Sequence, residues 1–228
     1  MNPLELTGRT RSHIKQHENP RFAAQTETVA AFFDMKTAAA REGIKLHPFS
    51  AFRDFNTQLK IWNKKYQGER PLYSQSGKLI DYASLSKPEL IHYILSWSAL
   101  PGASRHHWGT DIDVIDLATI DEHYQVELLP EESEKGGVFY HLHCWLDENM
   151  HRFGFFRPYQ KYNGGINPEP WHLSYAPISN RALDLLTIEI LEETIKTEDI
   201  HGKEYVLENL PTIYRTYIVN ICKGDGFL

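Results

Sequence analysis

Residues 110–116, Thr-Asp-Ile-Asp-Val-Ile-Asp, alternate polar and apolar side chains. A period of two marks a half-buried strand. Asp111, Asp113 and Ile115 then share one face, while Ile112 and Val114 share the other. The apolar face anchors such a strand in a core, and the opposite face aims carboxylates at a cavity. Whatever else the chain builds, it must supply a sheet to seat this strand and a core to cover its apolar side.

The flanking sequence is mixed. Residues 21–41 are Ala-rich with apolar residues at roughly helical spacing and a plausible stop at Gly43, which predicts a helix. IKLHPFSAF reads as a strand that delivers Arg53 at its end. Asp54 can cap a second helix that closes near Gly68. ERPLYSQSGKLIDYAS reads as a surface insertion. Ser86 and Glu89 form a capping box for a third helix, ended by Pro101-Gly102. ASRHHWG is read as a loop, and an aromatic-rich helix is expected over about 138–153. GFFRPY and WHLSY read as strands. The tail carries two helical segments, RALDLLTIEILEETIK and EYVLENLPTIYRTYIVNIC, with Pro211 placed to start a fresh turn or kink the second. Short strands among helices, without a βαβ rhythm, predict an α+β fold with a small sheet.

The length of 228 residues, 41% of them hydrophobic, suits one domain with decorations: a core over about 20–176 and a helical extension over about 177–228. A formal net charge of -6 gives no reason to expect a nucleic-acid partner. No run is apolar enough to span a bilayer. The first residues lack the apolar stretch of a secretory signal, and Cys144 and Cys222 are too few for a disulfide framework. The cytoplasm is therefore the expected compartment, or the periplasm if a leader has been removed. The oligomeric state is not legible.

Two segments carry chemistry. In the first, His106 sits in a loop and Asp113 follows seven residues later in the strand, with Gly109 permitting a sharp turn between them. In the second, Glu169-Pro170-Trp171-His172, a Glu and a His three apart can converge on one metal, the His as ligand and the Glu through a water. Catalytic zinc sites use three ligands of these types and leave a position for water. The ion lowers that water's pKa from about 15.7 towards roughly 7 and polarises a carbonyl under attack.

The first segment, Ser104 to Asp113, resembles the S-x-H-x-x-G-x-x-x-D motif of the zinc D-alanyl-D-alanine carboxypeptidases of the VanY type, and the second resembles their E-x-W-H. That family includes L,D-carboxypeptidases and phage endolysins and shares its fold with Hedgehog signalling domains. A third piece agrees: Ser50-Ala51-Phe52-Arg53 followed by Gln58 is similar to the family's S-G-Y-R with a later Gln. The resemblance covers Ser50 to Tyr175. It implies that His106, Asp113 and His172 bind zinc and that Glu169 is the base. It also implies that Arg53 stabilises the oxyanion or grips the substrate, with Gln58 and Ser104 as further substrate contacts. Two positions depart from the pattern. Ser174 stands where the family often has Arg, and Asp111 stands where it often has Ala; both departures leave the implied zinc site intact and bear on whether the family's substrate subsite carries over.

Other residues have plainer readings. Asp111 competes as a ligand, but is better read as a carboxylate that orients one or contacts substrate. His107 and Trp108 are expected at the rim or in packing. Trp171 is expected to fix the direction of His172 and to border the substrate. His141 and His143 diverge on a helix, and His13 and His17 have no further ligands nearby.

The function implied is zinc-dependent removal of a C-terminal D-alanine from peptidoglycan-derived peptides. Compartment favours an L,D-carboxypeptidase acting on tetrapeptides in recycling. The alternatives are a D,D-carboxypeptidase, a D-Ala-D-Ala dipeptidase, a peptidoglycan endopeptidase, and a non-catalytic zinc-binding module.

Overall fold

The alternating segment is a strand, and it lies inside a four-stranded sheet rather than at its edge. The computed structural model describes residues 1–224. The chain opens with α1 (Pro3–Leu6), the hairpin β1 (Lys15–Glu18) and β2 (Arg21–Ala24), and α2 (Thr26–Ala40). There follow β3 (Leu46–Ser50), α3 (Phe55–Tyr66), α4 (Lys87–Leu95) and β4 (Asp111–Asp116). The second half holds α5 (Pro130–Ser133), α6 (Tyr140–Asn149), β5 (Phe155–Phe156) and β6 (His172–Tyr175). The tail is helical: α7 (Ala176–Leu185), α8 (Ile188–Thr197), α9 (Lys203–Glu208) and α10 (Leu210–Ile213). The α+β class holds. Among the described residues, no helix is long and apolar enough to cross a membrane.

The main sheet runs β3-β4-β6-β5 with antiparallel neighbours throughout. Its register sets Asp113 opposite Ser50 on one side and His172 on the other, with Asp111 opposite Ser174. Ile112 and Val114 enter a core with Phe32 and Met35 of α2 and Leu142 and Leu146 of α6. The other face of β4 is covered as well, so all six residues are buried and the half-buried reading is corrected. The alternation misled because the covering groups are polar: Arg105 bonds Asp111, and Ser179 of α7 bonds Ser174.

A second core joins α3, α4 and the tail, with Trp62, Ile91, Ile94, Leu191, Ile195, Val206 and Ile213 buried together. The indole of Trp62 donates to the His201 carbonyl at 3.0 Å, and Asn63 exchanges hydrogen bonds with Asp199 and His201. The tail is thus half of a core.

Other boundaries also move. The helix expected from residue 21 begins at Thr26, because Phe22–Ala24 pair with β1 and Ala23 accepts from the Phe52 amide. Pairing and the burial of Phe22 against Phe32 override the helix preference of alanine. The aromatic helix is shorter than expected and ends in a 3-10 turn, Met150–Phe153. The first tail segment breaks into α7 and α8 around the buried Leu186, and Pro211 starts α10. Asp54 caps α3, and the Ser86–Glu89 box caps α4, both as expected.

Because Trp62 joins apolar burial to a bond with the tail, Trp62→Ala should destabilise the protein by about 3–5 kcal/mol. Equilibrium urea unfolding checks this; a loss under about 1 kcal/mol would show that the tail is not held through this residue.

Candidate metal centre and active-site cleft

The β4–β6 register makes Asp113 and His172 cross-strand neighbours. His106 joins them from a 3-10 turn, Arg105–Trp108, that ends on Gly109 in the left-handed conformation at φ 66°. A side chain at Gly109 would be strained by that φ, and its Cβ would fall 2.2 Å from the Ile14 side chain. The turn brings His106 back over the strand it precedes.

Hydrogen bonds orient both imidazoles. His106 Nδ1 donates to the Ala51 carbonyl at 2.8 Å, leaving Nε2 as a lone pair 3.4 Å from Asp113 Oδ2. His172 Nε2 faces Asp111 Oδ1 at 2.8 Å, so Nδ1 turns toward Asp113 Oδ1 at 3.6 Å and Glu169 Oε2 at 3.0 Å. One donor atom from each of His106, Asp113 and His172 lies within 4.8 Å of the others, all three residues being buried. Asp113 Oδ1 is buried with no hydrogen-bond partner. A buried carboxylate oxygen facing two imidazole lone pairs fits a divalent cation of the zinc type.

The electrostatics agree. Burial, and then the negative charges of Glu169 and Asp111, push the Asp113 carboxyl up to about 6 even though His172 pulls the other way. Burial, with the positive charges of Arg53 and His172, holds His106 well below its ordinary range and keeps it neutral, as a ligand must be. Burial opposes charge on His172, but the bonds to Asp111 and Glu169 outweigh it and push the imidazole up to about 10.

Asp111 lies behind the centre. It accepts from Arg105 Nε at 2.9 Å, Thr110 Oγ1 at 2.6 Å and Ser174 Oγ at 3.1 Å, besides His172. Burial works against its charge, but Arg105 and these bonds hold it well below the usual carboxylate range. Arg105 also reaches Ser174 at 2.6 Å and lies over the Trp108 ring at 4.7 Å. The two departures from the family pattern therefore form one buried network that fixes the His172 ring. Neither Asp111 nor Ser174 borders the cleft, so of the two roles expected for Asp111 the structure gives it the orienting of a ligand and not the substrate contact.

The cleft is a cavity of about 310 Å³ bordered by all three metal-site residues and by Arg53, Ser104, Glu169 and Trp171. Gln58 is not at its wall. It is fully buried, accepting from Arg53 at 2.8 Å and donating to the Ala99 carbonyl at 2.7 Å, so it holds Arg53 in place of meeting substrate. His107 and Trp108 are also interior and not at the rim; His107 Nδ1 donates to the Arg53 carbonyl at 2.6 Å. His141 is exposed while His143 is buried against Arg157, so the two do diverge. The insertion at 69–84 is more than surface, since Arg70 and Tyr73 reach the cleft.

Three contributors were not legible beforehand. Arg157 donates to the Pro170 carbonyl at 2.6 Å and pairs with Asp147, fixing the loop that carries Glu169 and His172. Tyr159 packs edge-on to His172 at 5.0 Å and accepts from the Glu169 amide through its carbonyl at 2.9 Å. Arg105 was the nearest cation to Asp111 in sequence, a signal that pairing buried charges would have found. No described tail residue lines the cleft.

Residues 21–178 match the family model described as VanY, D-alanyl-D-alanine carboxypeptidase. An uncharacterized protein of Haemophilus influenzae is 38% identical over 122 residues, covering 53% of this chain and 93% of the relative. A D-alanyl-D-alanine carboxypeptidase of Enterococcus faecalis is 32% identical over 106 residues, covering 45% of this chain and 34% of that one. Among solved structures, VanYB in complex with D-alanine-D-alanine has a TM-score of 0.53 at 23% identity, covering 82% of this chain and 89% of that one. A mutant of the D,D-pentapeptidase VanY from the VanB-type resistance cassette, in complex with Zn(II), has a TM-score of 0.52 at 22% identity and covers 74% and 82%. These likenesses show the fold.

The network behind His172 generates a prediction. Asp111→Asn keeps the side-chain shape but removes the charge that orients the ring, and should weaken Zn²⁺ binding by about 10–100-fold. Competition with a chromophoric chelator measures it, and unchanged affinity in a folded variant would remove Asp111 from the metal centre.

Proposed function

This chain belongs to the VanY family of D-alanyl-D-alanine carboxypeptidases, and from that membership we propose that it removes the C-terminal D-alanine from peptidoglycan-derived peptides, preferring the L,D bond of a tetrapeptide. The observation that carries the reading is the convergence of His106, Asp113 and His172 on one locus with Glu169 beside it and Arg53 on the same cavity wall. The family is one of zinc metallopeptidases.

In this reading His106 Nε2, the Asp113 carboxylate and His172 Nδ1 hold zinc. When bound, the zinc supplies an acidified water and a Lewis acid for the scissile carbonyl. Glu169 Oε2 takes the water's proton and returns it to the amine of the departing D-alanine. Arg53, locked by Gln58 and Ser50, holds a fixed positive charge toward the oxygen on which charge develops. Ser104 and Trp171 line the cavity that would take the substrate. A module that bound zinc only for structure would need neither a base nor this cation, and both face the cleft.

The L,D preference is the finer half of the proposal. It holds where the enzyme meets recycled tetrapeptides in the cytoplasm, since a D,D activity there would consume wall precursors.

Zinc-loaded protein incubated with disaccharide tetrapeptide and pentapeptide should release one alanine from the tetrapeptide by mass spectrometry, and chelation should abolish release. Release only from the pentapeptide would replace the L,D assignment with D,D. Independently, Glu169→Gln should lower kcat by about 10²–10⁴-fold. The variant should retain zinc by metal analysis; undiminished turnover would exclude Glu169 as the base.

A further inference from the structure

Two cations in the cleft have no role in the mechanism above. Lys65, at the end of α3, and Arg70, in the insertion that follows, border the same cavity as Arg53 and Glu169. Among the described residues, neither pairs with a carboxylate within 4.0 Å, whereas the nearby Lys64 pairs with Glu69. Lys65 Nζ donates to Ser98 Oγ at 2.7 Å, which aims the ammonium at the cavity wall and leaves two of its protons unused. The acidic residues that share the cavity are Asp113, Glu169 and Glu127. The first two face the metal locus, and Glu127 makes no ion pair with either cation.

Lys65 is separate from the cation of the mechanism. Seven residues along α3, about two turns, set its Cα about 10 Å beyond that of Gln58, the residue that anchors Arg53. The two share one helix face, and Lys65 and Arg70 line the same cavity as Arg53 without entering its bonds to Gln58 and Ser50. Half-buried positive charge without a counter-ion is unfavourable, and burial lowers the Lys65 ammonium to about 8, with Arg70 and Arg53 adding to the effect against the pull of Glu169. A carboxylate arriving on a ligand would relieve it.

We propose that Lys65 and Arg70 form a carboxylate-binding subsite that takes a free carboxylate of the substrate peptide other than the group held by Arg53. This rests on the carboxypeptidase reading and deepens it by stating a charge requirement on the substrate. Two sources present that chemistry: the C-terminal carboxylate of the residue released, and a side-chain carboxylate upstream of the scissile bond, as on a diamino-dicarboxylic residue.

The test measures peptide binding by calorimetry to zinc-loaded Glu169→Gln protein, so it is independent of turnover. Three tetrapeptides are compared: one with both carboxylates, one with a C-terminal amide, and one with lysine in place of the diamino diacid. Lys65→Met and Arg70→Met, added singly, should each weaken binding of the first peptide by about 10–100-fold. Lys65→Arg should restore most of the Lys65 loss. Arg70 is exposed, so its variant tests the subsite even if Lys65→Met proves unstable. The penalty should vanish on whichever peptide lacks the carboxylate the pair binds: vanishing on the amide assigns the C-terminus, and vanishing on the lysine peptide assigns the side chain. No penalty on the first peptide, or an equal penalty on all three, overturns the subsite. Failure of the wild-type enzyme to release alanine from any peptide would instead count against the proposed function.

Discussion

A buried carboxylate with an unsatisfied oxygen governs this molecule. Asp113 sits in the middle of the central strand, covered on both faces, with Oδ1 lacking any hydrogen-bond donor. Burying such a charge is unfavourable by several kcal/mol unless a cation compensates it. His106 and His172 direct ring nitrogens at the same point and Arg53 keeps positive charge nearby, while the carboxylates of Glu169 and Asp111 add to the negative charge that a cation must balance. The antiparallel register supplies His172, the turn closed by Gly109 supplies His106, and Arg53 sits on the adjoining wall. Apolar packing alone would exclude the arrangement; the site persists because the sheet and two cores over-determine the backbone that carries it.

Orientation comes from partners behind the ligands. Each imidazole spends one nitrogen on the protein, His106 on the Ala51 carbonyl and His172 on Asp111, and so offers a defined second nitrogen to the centre. Asp111 can remain ionised in the interior because Arg105, Thr110 and Ser174 satisfy it. Changing Ala to Asp and Arg to Ser relative to the family pattern would each be costly alone. Together with Arg105 they form a buried network that carries its own counter-charge, although Arg105 Nη1 is left without a hydrogen-bond partner.

The residues that touch the reacting centre were legible because chemistry dictates their type and spacing. His106, Asp113, Glu169 and His172 have to be those residue types, and the turn at Gly109 has to be short. The supporting residues escaped because their roles arise only when distant segments meet. Arg157 acts on Pro170 through a loop, and Arg70 reaches the cleft from a stretch whose polarity reads as surface. Gln58 shows the opposite failure: its position in a motif suggested a substrate contact, whereas both ends of its amide are consumed by Arg53 and Ala99. Strand β2 was hidden for a similar reason, since an alanine-rich stretch reads as helix until a partner strand claims its backbone.

The same logic gives the tail a place in the site it does not touch. Its helices share a core with α3, the helix whose N-terminal turns anchor Arg53 and whose last turn presents Lys65. Beyond α10, Cys222 donates its amide to the Pro158 carbonyl at 2.8 Å and Asn220 bonds the Asn163 carbonyl at 2.7 Å, bracing the segment that carries Tyr159 and Ile166 into the cleft. One wall of the cleft therefore rests on the helical core and the floor rests on the sheet core. Relative motion of the two cores would change the distance between the cations on α3 and the metal locus on β4 and β6. The tail, by packing across the back of α3 and onto the loop opposite, resists that motion, which is a physical reason for a carboxypeptidase core to carry about fifty further residues.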